Sequence, residues 1–197
     1  MSAPIGEPTV VVLRGLPLTG KTTLGRALSK ALGWVYVDVN GMRALAARSI
    51  DYRHDQVNPW ADEDRARRES EDMDIAYALV HAAVAENVQR GRSIIISATY
   101  SWQERQHLLL QAALANPRTR VRTIRLSFND EPKEIRRRLA DKLREEGYCG
   151  TVEHYLTDRD VRHDYTHLPE LGPLLELNSS KFTPEQEVEV ALRFITE

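Results

Sequence analysis

A glycine-containing turn between an apolar run and an amphipathic stretch is the feature that most limits how this chain folds. The run Thr9-Val-Val-Val-Leu13 is short, apolar and β-branched, as expected of a strand that is buried on both faces. After the turn, Leu24, Leu28 and Ala31 recur at helical spacing. Gly33 is suited to end that helix. A buried strand that leads through a turn into a helix predicts an α/β fold.

The turn reads Gly15-Leu-Pro-Leu-Thr-Gly20-Lys21-Thr22 and fits the pattern G-x-x-x-x-G-K-[S/T] of a phosphate-binding P-loop. Backbone N–H groups of such a loop and the positive end of the following helix surround a phosphate chain. Lys21 is then expected to reach the β- and γ-phosphates of ATP, and Thr22 to offer its hydroxyl to Mg²⁺. The alternative is an ordinary strand–turn–helix in which the threonine only caps the helix. The predicted ATP-binding residues are Gly15, Leu16, Pro17, Leu18, Thr19, Gly20, Lys21, Thr22 and Thr23.

Four further strands and five further helices are expected along the chain. The strands are predicted at 34–38, 93–97, 121–128 and 174–177, and the helices at 41–49, 62–89, 102–115, 132–144 and 184–195. Ile75 and Leu79 are among the residues that mark the faces of the long helix. Strands that alternate with helices predict a five-stranded parallel sheet flanked by helices, with right-handed crossovers. Without a linker or repeat, residues 1–197 are interpreted as one domain.

Charge balance and cysteine content limit the classes of protein to which the chain can belong. It has 27 basic and 29 acidic side chains, and a net charge of −2 argues against a protein built mainly to coat nucleic acid or an anionic membrane. The single cysteine, Cys149, cannot form an intramolecular disulfide, which predicts a cytoplasmic location. The apolar runs are far shorter than the roughly 20 residues that span a bilayer, so no membrane partner is expected. The oligomeric state is left open.

Features after the P-loop narrow the class of nucleotide-binding protein. The chain has no N-K-x-D motif with which a GTPase reads its base. A motor or transporter ATPase is expected to carry an aspartate after a second apolar strand, but the run Ile94-Ile-Ile ends in Ser97. A short chain with one P-loop therefore favours a small kinase.

The chain resembles the small P-loop kinases typified by shikimate and gluconate kinases, chloramphenicol phosphotransferase, zeta toxins and polynucleotide 5′-kinases. Residues 15–23 look like the family pattern G-x-P-G-[S/A]-G-K-[S/T]-T, with Leu18 in place of the second glycine. Ser97-Ala-Thr-Tyr100 looks like a D-A-T-F segment with serine in place of aspartate, and residues 130–139 resemble the segment that leads into an arginine-bearing lid. The resemblance implies a P-loop NTPase fold with a helical lid at about 136–165. It also implies transfer of the γ-phosphoryl group of ATP, with Mg²⁺, to a hydroxyl.

Asp38 ends the second predicted strand, where α/β folds assemble their sites, and is the strongest acid–base candidate. In the family that the chain resembles, an aspartate here holds the acceptor hydroxyl, accepts its proton or binds Mg²⁺ through water. The resemblance thus implies catalytic, substrate-binding and metal-binding roles for Asp38, whereas its other interpretation is a cap of the next helix. Asn40 adds a second candidate contact to the acceptor. Arg43, one turn later, is either a contact to an anionic acceptor or a solvated helix residue.

Basic residues concentrate in the segment 118–145, which overlaps the first part of the predicted lid. This segment holds ten basic and five acidic side chains. Ile135 and Leu139 form an apolar stripe that is expected to face the core. Arg138 and Lys142 lie beside this stripe, and the family's spacing favours these two. We predict that Arg138 is a catalytic cation that stabilises the charge of the transferring phosphoryl group. The alternative for each lid cation is a solvated surface charge.

Residues 51–74 have the opposite character, with nine acids and four arginines. In the family that the chain resembles, this region helps form the acceptor pocket. An acidic lining disfavours nucleic acid and suits a neutral or cationic acceptor, although a solvated acidic helix is the alternative. The sequence therefore predicts an ATP-dependent kinase of a small-molecule hydroxyl. Two alternatives stay open: a polynucleotide 5′-hydroxyl kinase and a non-kinase ATP-binding regulatory protein.

Overall fold

The computed structural model describes residues 7–48, 63–100, 102–129, 131–146, 151–153, 156 and 171–197. The strands are β1 (Thr9–Arg14), β2 (Val35–Asp38), β3 (Ile94–Ser97), β4 (Arg120–Ser127) and β5 (Leu174–Asn178). The helices are α1 (Lys21–Leu32), α2 (Val39–Arg48), α3 (Glu63–Gln89), α4 (Gln103–Ala113), α5 (Pro132–Glu146) and α6 (Pro184–Thr196). The predicted order of strands and helices is confirmed, with ends that differ by at most two residues.

All five strands run parallel in the order β2-β3-β1-β4-β5, as the α/β prediction requires. The strand that precedes the P-loop is central, because Val10 pairs with Ile94 on one side and with Val121 on the other. At the carboxyl edge, Ser97 lies between Asp38 and Leu13 in register. The sheet thus brings the ends of β2 and β3 next to the start of the P-loop.

Successive residues of β1 enter two separate apolar cores, one on each face of the sheet. Val10 and Val12 pack with α3 and α4, whereas Val11 and Leu13 pack with α1 and α6. All four side chains are fully buried. Each such burial contributes about 1.5–3 kcal/mol relative to exposure. The helices on both faces thereby hold the carboxyl edge of the sheet in place.

The buried face of α3 differs from the one that the sequence pattern suggested. Ile75 and Leu79 are nearly half exposed, while Ala76, Val80 and Val84 are fully buried against the sheet. Small residues are frequent all round this helix, so apolar spacing alone does not determine which side packs. Although α3 has 27 residues, neither it nor any other helix in the described part of the chain is long and apolar enough to cross a membrane.

Candidate active site

The P-loop links β1 to α1, and its two flanking glycines meet different constraints. Gly15 passes so close to β4 that a Cβ there would overlap the carbonyl oxygen of Leu126. Gly20 is the N-cap of α1 and has a φ of 92°, which side chains rarely adopt. Gly20 has no side chain with which to cap the first N–H groups of α1, and no other described residue caps them. These donors are therefore available to an anion at the helix N-terminus.

Leu18 adopts a left-handed backbone conformation, with a φ of 68°, that favours glycine. A leucine in the left-handed region of backbone conformation is strained. The side chain of Leu18 packs against the apolar cluster of Phe128, Ile135 and Leu139. Its carbonyl oxygen accepts a hydrogen bond of 2.9 Å from Nη1 of Arg138. Leu18 thus connects the P-loop to α5 through both its side chain and its carbonyl.

Lys21 lies over the P-loop backbone, and its predicted contact with the β- and γ-phosphates stays a prediction. Its Nζ donates hydrogen bonds of 2.8 Å to the carbonyl of Gly15 and 2.6 Å to that of Leu16. The pKa of Lys21 is lowered to about 7, mainly by burial and next by the nearby charge of Lys142, while Asp38 acts in the opposite sense. Two ammonium groups that approach each other over a loop of free amides form a site for a polyanion.

Asp38 lies at the carboxyl edge of the sheet and also caps the next helix, the two positions that the sequence suggested. It ends β2 beside Ser97, within electrostatic range of Lys21. It also caps α2, because its Oδ1 accepts a hydrogen bond of 3.3 Å from the backbone N–H of Asn40. Asn40 is exposed and Arg43 is half-buried in the first turns of α2. The carboxylate of Asp38 therefore caps α2 and lies at the carboxyl edge of the sheet.

A group of hydroxyls beside Asp38 was missed by the sequence analysis. The side chain of Tyr36 on β2 reaches toward the hydroxyls of Thr22 and Ser97. Burial raises the pKa of Tyr36, and the charge of Asp38 raises it further, so the phenol stays protonated. Only the alternation of β2, which turns Tyr36 and Asp38 to the same face, pointed to this residue.

These residues fit the Mg²⁺ that the sequence predicts at Thr22 and Asp38. Hydroxyl and carboxylate oxygens are the ligands that this ion prefers. Ser97 Oγ is buried beside them and makes no hydrogen bond within the described part of the chain. Within that part, no group of three His, Cys, Asp or Glu side chains is able to hold a metal. Asp38 is the carboxylate that the sequence predicts for the ion at this edge.

Arg138 connects the lid helix to the P-loop. It bonds to the carbonyl of Leu18, to Oε1 of Glu134 at 2.6 Å and, at 3.5 Å, to the carbonyl of Ser179. Its guanidinium also lies 4.6 Å from the ring centroid of Phe128. These contacts hold α5 against the P-loop, and the catalytic role of Arg138 stays a prediction.

The other lid cations differ in how they are placed. Arg136 is exposed, and Arg137 pairs with Glu134 and Asp141 on the surface. Lys142 is half-buried and is near enough to Lys21 to lower its pKa. Among the lid cations that the structure describes, Lys142 is thus the one whose charge acts on the P-loop lysine. Most of the lid predicted at 136–165 lies outside the described residues.

The segment after β3 is strained and lies on the opposite face of the sheet from α1. Tyr100 has a φ of 49°, a conformation that concentrates at functional sites. Its carbonyl accepts hydrogen bonds from Nε2 of Gln106 at 2.9 Å and from Nη2 of the buried Arg14 at 3.3 Å. Its ring meets that of Tyr77 edge-on, with centroids 5.3 Å apart. A rigid aromatic and polar wall thus borders the carboxyl edge near Asp38.

The acidic segment predicted to line an acceptor pocket is described only in part. Residues 49–62 lie outside the described residues, and so do the side chains of residues 63–70. Of the remaining acids, Asp72 is buried on α3, and Asp74 pairs with Arg105 at 2.8 Å. The acidic lining of the acceptor pocket therefore stays a prediction.

Comparison with known proteins gives one family and several relatives. The family AAA_33, described as an AAA domain, matches residues 10–156. The 6-phosphofructo-2-kinase/fructose-2,6-bisphosphatase 3 of Rattus norvegicus is 27% identical over 116 residues, which are 56% of this chain and 20% of that protein. The protein of the same name from Bos taurus is 28% identical over 110 residues, or 53% of this chain and 23% of that protein. The chain thus spans about a fifth of the length of these curated relatives.

Solved structures share the fold at low sequence identity. A protein of Chloroflexus aurantiacus assigned as a kinase has a TM-score of 0.70 at 21% identity, covering 95% of this chain and 98% of that one. A gluconokinase from Sinorhizobium meliloti has a TM-score of 0.56 at 13% identity, covering 97% and 93%. Kti12 from Chaetomium thermophilum, solved with ADP-AlF3, has a TM-score of 0.58 at 15% identity, covering 94% and 98%. With its P-loop, its parallel sheet and this family match, the chain belongs to the AAA domain family AAA_33 and has the fold of the small P-loop kinases.

Proposed function

We propose that the protein transfers the γ-phosphoryl group of ATP to a hydroxyl of a small molecule. The observation that carries the proposal is the convergence of Lys21, Lys142 and Asp38 at the P-loop. Two cations suit a polyphosphate, and a carboxylate at the same edge suits the hydroxyl that attacks it. The names of the relatives, a gluconokinase and a 6-phosphofructo-2-kinase, favour a polyhydroxylated acceptor.

Each residue has a separate task in this proposal. The N–H groups of the P-loop and Lys21 hold the β- and γ-phosphates, and bound Mg²⁺ would neutralise charge on their oxygens. Asp38 orients the acceptor hydroxyl and takes its proton as the oxygen bonds to the γ-phosphorus. The bond from phosphorus to the β,γ-bridging oxygen breaks, and ADP leaves with that oxygen. Lys142 stabilises the charge of the transferring group, and Arg138 holds α5 in reach of the loop.

A labelled-ATP transfer screen against sugars, sugar acids, nucleosides, antibiotics and a 5′-hydroxyl oligonucleotide tests the proposal. We expect transfer to a small molecule, and Asp38→Asn should lower its rate by about 100-fold or more while nucleotide binding stays near normal. Glu86→Gln, which removes an exposed carboxylate near the end of α3 and outside the acidic segment, should keep the wild-type rate. An Asp38→Asn variant with unchanged transfer would remove Asp38 from the mechanism.

The lowered pKa of Lys21 predicts that nucleotide binding takes up a proton. The free lysine, with a pKa of about 7, is mostly neutral at pH 8, and bound phosphates favour its charged form. Phosphate itself is ionised there, since its second pKa is about 6. Calorimetry of ADP binding in buffers of different ionisation enthalpy should therefore show proton uptake at pH 8 and an affinity that falls as the pH rises above 7. Lys21→Arg, which stays protonated, should show no uptake, and wild-type binding without uptake would contradict the assignment.

Lys142 and Arg138 should differ in what their loss changes. Lys142→Ala removes a like charge near Lys21, so it should raise the pKa seen in nucleotide binding and lower transfer by about 100-fold. Arg138→Ala should instead lower the melting temperature, because α5 loses its bonds to the P-loop, and should leave that pKa in place. Arg136→Ala, an exposed change on the same helix, is the control. A shifted pKa in Arg138→Ala but not in Lys142→Ala would reverse these roles.

An ATP-binding regulatory protein is the second candidate function. The neighbour that favours it is Kti12, which was solved with ADP-AlF3 and is not named as a kinase. Tight Mg²⁺-dependent nucleotide binding without transfer to any compound of the screen would support this candidate. Transfer to the oligonucleotide alone would support a polynucleotide 5′-hydroxyl kinase.

A further inference from the structure

Two hydroxyl groups beside Thr22 make no hydrogen bond to any residue that the structure describes: Ser97 Oγ and Tyr36 Oη. Ser97 ends β3 and is 1% exposed. Tyr36 comes from the neighbouring β2, and its ring lies so close to α1 that a Cβ on Gly25 would overlap it. This contact fixes the ring, so the phenol is held at the start of α1.

The hydroxyls of Thr22, Tyr36 and Ser97 lie close to one another. Those of Ser97 and Thr22 are near enough to that of Tyr36 to act on its pKa, but no residue that the structure describes makes a hydrogen bond of good geometry to Tyr36 Oη or Ser97 Oγ. A buried polar group without a partner costs free energy, and folded proteins rarely leave two together. Each hydroxyl offers one donor proton and two acceptor lone pairs. The pair is therefore suited to bond a small polar molecule between them, of which water is the smallest.

The position of the pair indicates what kind of water it would hold. Thr22 and Asp38 beside it are the predicted oxygen ligands of Mg²⁺, an ion that dehydrates reluctantly and keeps several of its waters. A water on a metal ion donates strongly and needs acceptors. We propose that Tyr36 and Ser97 hold a water of the nucleotide-bound Mg²⁺ and thereby position the ion beside Thr22. The inference rests on the proposed function, since the nucleotide brings the ion.

Serine at position 97 also determines when the ion binds. An aspartate there would place a second carboxylate next to Asp38 in register, whereas serine adds no charge. No metal-binding group of three His, Cys, Asp or Glu side chains occurs among the residues described. The phosphates of the nucleotide therefore supply most of the negative charge around the ion. The free protein should bind a divalent cation weakly, and the nucleotide complex should bind it well.

Mn²⁺ is the probe, because its binding is measured directly by electron paramagnetic resonance without any turnover. In the presence of saturating ADP, Tyr36→Phe and Ser97→Ala should each weaken Mn²⁺ binding by about 10-fold, as loss of an outer-shell partner does at other metal sites. ADP binding in excess chelator should stay at the wild-type level in both variants. Ser97→Asp should raise Mn²⁺ affinity in the absence of nucleotide, because it adds a ligand charge.

Matched controls separate the metal effect from a loss of structure. Tyr100→Phe removes a buried phenol hydroxyl on the other face of the sheet, and Ser93→Ala removes a hydroxyl before β3 that accepts from the N–H of Thr9. Both should keep wild-type Mn²⁺ binding in the ADP complex. Wild-type Mn²⁺ affinity in folded Tyr36→Phe and Ser97→Ala, with ADP bound, would overturn the inference and leave the kinase proposal intact. If Mn²⁺ does not bind the wild-type ADP complex, the metal part of the proposed function fails together with the inference.

Discussion

The buried ammonium group of Lys21 is the constraint on which the rest of the site depends. Lys21 begins α1, and its ammonium group donates hydrogen bonds to the P-loop carbonyls of Gly15 and Leu16. A second cation, Lys142, lies near it on α5. Burial and like charge both disfavour the ammonium form, which a polyphosphate would restore. The site is therefore complementary to a polyanion. The helix N-terminus, the lid helix and the carboxylate of Asp38 lie around this lysine.

The parts of the fold that local sequence determines were predictable. A buried β-branched strand, a glycine-rich turn and an amphipathic helix appear in consecutive residues, so the P-loop and its place in a parallel sheet follow from residues 9–32 alone. Asp38 was predictable for a similar reason, because a polar residue that ends a strand reaches the carboxyl edge. Leu18 shows the limit of such patterns, since only the apolar cluster under α5 explains how leucine serves in place of glycine.

Contacts between distant segments were not predictable from spacing. The guanidinium of Arg138 meets the carbonyl of Leu18, 120 residues away in sequence, and that of Ser179, 41 residues away. The sequence indicated that this arginine lies beside an apolar stripe, but not that it holds the helix to the P-loop. The hydroxyl pair of Tyr36 and Ser97 depends on the register of β2 with β3, which one sequence does not reveal. Which side of α3 is exposed was also not predictable from spacing. Alanines occur on all sides of this helix, so packing against the sheet decides its orientation.

The central claim, that Lys21 is the residue on which polyphosphate binding depends, is tested most directly by the stabilisation that ATP gives to the fold. ATP with Mg²⁺ at about 100 times its dissociation constant should raise the free energy of unfolding of the wild-type protein by about 2.7 kcal/mol. Lys21→Ala should fold and show almost none of this gain, whereas Lys30→Ala, an exposed change in the last turn of α1, should keep all of it. Wild-type stabilisation of Lys21→Ala by ATP would contradict the P-loop assignment and the mechanism built on it.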